Sequence, residues 1–365
     1  MRSLLLLLSA CSVFAADTSK LRIGELAKFG ATVEIAKVAA LAAEAYARPH
    51  TMEVPNPVYR LSDIPFLGAS RKEKLDLYFP AGAQRVDRPA VVFIHGGGFT
   101  GGDKAEYRSA SVSADLCRAG YVVVSCNYRL GPMTQADVWP QNITDCRNAV
   151  RWVRAHAKEL GVDPDKIAVA GGSAGGYLAL MVGLSDDKTG PGGDSTAKHS
   201  AKVSAVIDMY GVVNFSKHGK GQVPGVSAAE QAAYLPENQC DPQDPPVLIL
   251  HGTADTIVPI PMHSIPFAQQ VASAHLQVID GAGHMPHYSH RSEVLVAIAR
   301  AEAARQTEVI SAGRQQLADV REQVRAGRYD EAIVAIDAAI AGLPVNASTQ
   351  VLIADLRKEK AAALL

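Results

Sequence analysis

Residues 167–177 read Ile-Ala-Val-Ala-Gly-Gly-Ser-Ala-Gly-Gly-Tyr, and this stretch decides the fold. Ile167 to Ala170 is a short, unbroken apolar run, as expected of a strand buried on both faces. Tyr177-Leu178-Ala179-Leu180 continues as a helix. Between them lies Gly171-Gly172-Ser173-Ala174-Gly175, a Gly-x-Ser-x-Gly turn joining strand to helix. A serine on such a turn is strained and exposed, and the flanking glycines remove side chains that would clash. The Ala174 amide then opens a helix whose dipole favours negative charge. The rival reading, a phosphate-binding glycine loop, lacks both the P-loop lysine and the full dinucleotide pattern.

Three further motifs follow apolar runs in the same manner. His95-Gly96-Gly97-Gly98-Phe99 comes directly after Val91 to Ile94. Bare glycine amides can approach a substrate oxygen, so Gly97 and Gly98, with Ala174, are the expected oxyanion donors. Losing one such donor typically slows acyl transfer by on the order of 10²–10³. His95 reads as a structural residue holding this loop. His251-Gly252-Thr253-Ala254-Asp255 follows Val247 to Leu250, which places Asp255 where an orienting acid belongs. Asp208, also at a strand end, competes but comes one strand too early. Gly281-Ala282-Gly283-His284 follows Leu276 to Ile279, making His284 the expected general base. His287 and His290 compete for that role. The three histidines do not read as a metal site, because no carboxylate or cysteine set accompanies them.

The runs Ala90 to Ile94, Tyr121 to Cys126, Ile167 to Ala170, Val203 to Asp208 and Val247 to Leu250 alternate with helical segments at 105–119, 143–160 and 174–184. Leu75 to Phe79 alternates as a further strand. An α/β fold follows, a mostly parallel sheet with helices on both faces. The polar stretch 212–245 reads as a modest insertion. Pro49, Pro55, Pro57 and Pro65 mark 49–65 as an extended linker.

The order serine, acid, histidine, each past a strand end, is that of the α/β-hydrolase superfamily, which residues 58–300 resemble. HGGGF with Gly102-Asp103-Lys104, Asn127-Tyr128-Arg129-Leu130, GGSAGG, HGTADTIVP and GAGH is similar to its small-esterase branch. That branch holds the bacterial feruloyl- and acetyl-esterase-like (BD-FAE-like) proteins and the hormone-sensitive-lipase-like carboxylesterases. The latter usually carry Asp before the elbow serine and a larger N-terminal cap; Gly172 and a short 21–47 segment favour the former. The resemblance implies a cofactor-free serine carboxylesterase, with no metal, acting on short-chain acyl, acetyl or feruloyl esters. The partner is a small ester or an esterified carbohydrate such as plant polysaccharide. Catalytic Ser173, Asp255 and His284, with Gly97, Gly98 and Ala174, match the branch's pattern. Asp145 matches a structural position, and Trp139 reads as acyl-pocket lining or as ordinary packing. The alternatives are an arylformamidase-like amidase, or a serine peptidase of the same fold that would lack its usual propeller.

Met1-Arg2-Ser3, five leucines and small residues to Ala15 read as a signal peptide over 1–15, hence an exported, periplasmic or secreted enzyme. Leu8-Ser9-Ala10-Cys11 offers the alternative of a lipid anchor through Cys11. The leucine run is too short for a transmembrane span. Residues 16–57 read as an N-terminal helix followed by the proline-rich linker. Lys plus Arg number 36 against 37 Asp plus Glu, so no basic surplus exists to bind nucleic acid. The remaining cysteines, Cys117, Cys126, Cys146 and Cys240, are even in number, which permits disulfides, although Cys117 and Cys126 lie in apolar surroundings. Residues 301–365 read as a helical extension. Gly327 to Ile333, with Ala339 and Pro344, is similar to one tetratricopeptide helix pair. It serves either as packing on the hydrolase or as an oligomer or partner contact.

Overall fold

The computed structural model describes residues 58–80, 87–185, 196, 198–214, 227–343 and 349–364. The signal peptide, Cys11, the N-terminal helix and Pro344 lie outside the described residues. The described chain forms two compact units that divide between Arg291 and Ser292.

The first unit is built on eight strands: β1 Val58–Pro65, β2 Lys74–Pro80, β3 Arg88–Ile94, β4 Val122–Cys126, β5 Val162–Gly172, β6 Ala205–Met209, β7 Val247–Gly252 and β8 Ala274–Ile279. They lie in the order β1-β2-β4-β3-β5-β6-β7-β8. β2 runs antiparallel to both β1 and β4, and every later pair is parallel. Every residue of β4 and β7 is buried. That is why these strands read as unbroken apolar runs rather than alternating ones. β8, at the edge, is only partly buried until Ile279.

Helices α1 Tyr107–Arg118, α2 Gln141–Ala155, α3 Ala157–Leu160, α4 Ala174–Leu184, α5 Ala228–Ala233, α6 Ser264–Gln270 and α7 Pro286–Ser289 complete this unit. α4 is buried at all positions but Gly183, so its sequence shows no polar face. Leu178 and Leu180 are wholly buried there, and truncating either to alanine costs about 2–5 kcal/mol.

The linker expected at 49–65 is corrected at its C-terminal end, where Val58–Pro65 forms β1. The prolines fall just before the strand and at its last residue, so neither interrupts the pairing. A register shift between Leu61 and Ile64 breaks its alternation, with Asp63 in the left-handed region at φ 62°. The Asp63 amide donates to Asp76 at 3.0 Å, and the nearly buried Lys104 ammonium bridges Asp63 (2.7 Å) and Asp76 (3.0 Å). Cys117, Cys126 and Cys146 are buried free thiols, and Cys240 is a partly buried one.

The second unit packs the latter part of α8 (Arg291–Arg325) with α9 (Tyr329–Gly342) and α10 (Gln350–Ala363). Leu317 and Val320, Ile336 and Ala339, and Leu352 and Leu356 form its core. The core is thus a three-helix seam rather than a single pair. No proline interrupts 291–325, so one helix runs through the expected boundary at 300.

Candidate active site

Ser173 stands at the junction of β5 and α4 with φ 57° and ψ −120°, a strained conformation for any residue with a side chain. The turn closes only because its neighbours are bare. A Cβ on Gly175 would run into the Ile94 carbonyl oxygen, and one on Gly171 into that of Gly175. The turn therefore sits directly against the end of β3, where the His95–Phe99 loop begins.

His284, in the loop after β8, reaches Ser173. Its Nε2 lies 3.1 Å from Ser173 Oγ, and its Nδ1 lies 2.8 Å from Asp255 Oδ2. With the proton on Nδ1, the ring donates to the carboxylate and accepts from the serine hydroxyl. Asp255 Oδ1 accepts the amides of Ile257 and Val258, each at 2.9 Å. Burial pushes this carboxyl up, but hydrogen bonds from His251, His284 and the Val258 amide more than offset it and hold it well below the usual range.

His251 is quoted within the sequence motif, but its role was not legible there. Its Nε2 lies 3.1 Å from Asp255 Oδ2 and 2.7 Å from the Val258 carbonyl oxygen, while Nδ1 lies 2.6 Å from Ser264 Oγ. A proton on Nε2 and the Ser264 hydroxyl donating to Nδ1 satisfy all three contacts. Only the four-residue spacing from Asp255 hints at this pairing.

The competing residues lie elsewhere in the network. Asp208 is wholly buried, accepts the Gly211 amide at 2.9 Å, and is pushed up to about 7 by burial. No hydrogen bond joins it to His284 among the described residues. His287 is buried and lies 3.1 Å from the Tyr210 hydroxyl; burial, then the neighbouring His284, pull it down to about 4. His290 is turned to its neighbour Ser289 at 2.8 Å.

The oxyanion loop is held from behind. His95 is buried, bonds the Gly96 carbonyl through Nδ1 at 2.8 Å, and stacks on Tyr128 at 4.4 Å. The Tyr128 hydroxyl donates to the His95 carbonyl at 3.0 Å. Asn127 receives the Lys104 amide at 2.7 Å and donates to Asp103 at 2.7 Å. Gly97 and Gly98 take φ 123° and 61°, conformations open to glycine. The amides of Gly97, Gly98 and Ala174 donate to no group among the described residues. All three residues line one cavity of about 770 Å³ with Ser173 and His284.

Asp145 is fully buried and accepts from Arg71 and Arg129, each at 3.0 Å, which ties the β1–β2 connection and the segment after β4 to α2. Trp139 packs among Phe99, Tyr177 and Tyr234. Among the described residues no group of three or more His, Cys, Asp or Glu side chains could hold a metal ion.

This strand order, with the serine, histidine and carboxylate joined beyond its strand ends, is that of an α/β-hydrolase. The chain belongs to the BD-FAE family, whose model matches residues 75–270. It is 28% identical over 313 residues to the probable carboxylic ester hydrolase LipM of Mycobacterium tuberculosis, covering 78% of this chain and 69% of that one. It spans about half the length of two further curated relatives, esterases of the same organism. Among solved structures, a truncated carbohydrate esterase from gut microbiota is 25% identical with a TM-score of 0.57, covering 68% of this chain and 97% of that one. Esterase Est2 of Thermogutta terrifontis is 28% identical with a TM-score of 0.53, covering 67% and 91%.

Proposed function

We propose that this chain is an exported serine carboxylesterase that cleaves short-chain acyl, acetyl or feruloyl esters borne on carbohydrate. The single observation that carries the mechanism is the unbroken hydrogen-bond path from Ser173 Oγ through His284 to Asp255. In the first step His284 Nε2 takes the serine proton as Oγ attacks the ester carbon. The carbonyl oxygen becomes an oxyanion facing the amides of Gly97, Gly98 and Ala174. His284 then gives its proton to the leaving alcohol oxygen, and the acyl group stays on Ser173. A water molecule repeats the sequence, deprotonated by His284, and releases the acid. Asp255 stays ionised throughout, as its lowered proton affinity requires.

Similarity to a carbohydrate esterase and membership of the family support the substrate class; the leader read at 1–15 supports export. A panel of p-nitrophenyl acetate, butyrate and octanoate, methyl ferulate and acetylated xylan, run beside Ser173→Ala, tests the reading. Turnover confined to short acyl or feruloyl esters and lost in the variant is the expected result. Faster cleavage of anilides or formamides than of esters would assign an amidase instead.

A further inference from the structure

A ladder of rings leads from His284 to the surface. Tyr210 packs edge-on against His284 with centroids 4.7 Å apart, and stacks on His287 at 5.6 Å and 9°. His287 meets Tyr288 at 4.6 Å, and Tyr288 stacks on Tyr107 at 5.5 Å and 8°. Tyr107 ends the ladder and is 74% exposed, the most open large hydrophobic side chain among the described residues. One of its faces is covered by Tyr288.

Glu106, Arg108 and Ser109 line the cavity that holds Ser173, and Tyr107 stands between them outside that lining. Arg108 donates to Glu106 Oε2 from Nε at 3.2 Å and from Nη2 at 2.6 Å. Glu106 Oε1 and Arg108 Nη1 have no partner among the described residues. The pair is electrically neutral and offers one acceptor and one donor beside the exposed ring.

The direction of the ladder follows from the chemistry. The histidine that takes the serine proton must deliver it to the leaving oxygen, so the alcohol lies on the His284 side of the site. On that side the ring contacts run from His284 through the buried Tyr210 and His287 to the exposed Tyr107. We propose that Tyr107, with Glu106 and Arg108 beside it, is a subsite for a sugar ring of the alcohol portion, so that the leaving group is part of a carbohydrate chain. This inference rests on the esterase reading above.

A sugar ring has a face of C–H groups and a rim of hydroxyls. The C–H face suits the negative face of an aromatic ring. Each rim hydroxyl both donates and accepts, which suits a carboxylate oxygen next to a guanidinium. An apolar alcohol would have no use for the charged pair, and an anionic polymer would meet no net positive charge.

The test is the ratio of kcat/KM on acetylated xylo-oligosaccharides to that on p-nitrophenyl acetate, in wild type, Tyr107→Ala and Tyr107→Phe. A ratio keeps overall damage to folding out of the reading. Loss of one aromatic contact should lower the ratio in Tyr107→Ala about five- to ten-fold, chiefly through KM. Tyr107→Phe, which keeps the ring, should retain the wild-type ratio. An unchanged ratio in Tyr107→Ala overturns the subsite, as does a loss seen only with methyl ferulate, which would place the acyl ring on Tyr107. Wild type active on p-nitrophenyl acetate but inert on the oligosaccharides also overturns it. Wild type inert on every ester refutes the esterase reading itself.

Discussion

Replacing Asp255 by asparagine should disable the site through a wrong tautomer rather than through a lost contact. Oδ1 of Asp255 accepts two backbone amides, from Ile257 and Val258, so the asparagine must keep its oxygen there. Its NH₂ group then occupies the Oδ2 position, 2.8 Å from His284 Nδ1 and 3.1 Å from His251 Nε2. Donating to His284 Nδ1 drives the ring proton onto Nε2, which faces Ser173 Oγ at 3.1 Å. The imidazole then presents a donor to a hydroxyl it must deprotonate. The same NH₂ confronts the Nε2–H of His251, which the Val258 carbonyl holds in place at 2.7 Å. Removing one hydrogen bond to a charged group would cost about 1.5–3 kcal/mol. Tautomer reversal with loss of imidazolium stabilisation costs more, about 4–5.5 kcal/mol, or a 10³–10⁴-fold fall in kcat. The assay is kcat and kcat/KM on p-nitrophenyl acetate for Asp255→Asn and Asp208→Asn, each with a urea melt to verify folding. A folded Asp255→Asn enzyme that loses less than ten-fold refutes the reasoning. A large loss in Asp208→Asn with Asp255→Asn silent would transfer the acid's role.

Three further outcomes follow from the geometry. Ser173→Gly relieves a side-chain residue at φ 57° and should raise stability by about 1 kcal/mol in denaturant melts while abolishing turnover; a loss of stability would refute strain at the elbow. Asp208 is held up to about 7, so the folded protein keeps a proton there that the unfolded chain releases, and stability falls as pH rises from about 4 to 7. Asp208→Asn should therefore be the more stable protein at pH 8, by up to a few kcal/mol, with the gap closing near pH 4; a pH-independent gap would contradict this. Gly175→Ala would drive a methyl group into the carbonyl oxygens of Ile94 and His95, and should destabilise by about 3 kcal/mol or more, read as a shifted urea midpoint. A midpoint unchanged from wild type would show that the turn can yield there.

The sequence made some of this architecture plain for a physical reason. Strands such as β4 and β7 are covered on both faces, so burial writes them as continuous apolar runs bounded by turns. The elbow was legible because close approach admits only glycine at 171 and 175. β1 was hidden because it is a half-exposed edge strand with a shifted register at Leu61 and Ile64, flanked by prolines that read as a linker. The 162–166 portion of β5 was hidden because it is polar and joins the ladder through the single pair Arg88 and Val162. Within the site, each of Ser173, Asp255 and His284 follows its own strand, so local pattern located them one at a time. The link between Tyr210 and His287 spans 77 positions and leaves no local trace. Lys104, Asn127 and Tyr128 stood out only as parts of motifs; the bonds by which they support the His95 loop join segments far apart in the chain and were not legible.

The central claim is that Ser173 is the group that becomes acylated, activated by His284. The most direct measurement is reaction of the purified protein with a p-nitrophenyl phosphate triester, followed by intact mass and peptide mapping. The expected result is one dialkylphosphoryl adduct per chain, on Ser173, with one equivalent of p-nitrophenol released, and labelling slowed by orders of magnitude in His284→Ala. A folded wild-type protein that takes no label, or that carries it on a residue other than Ser173, would contradict the account.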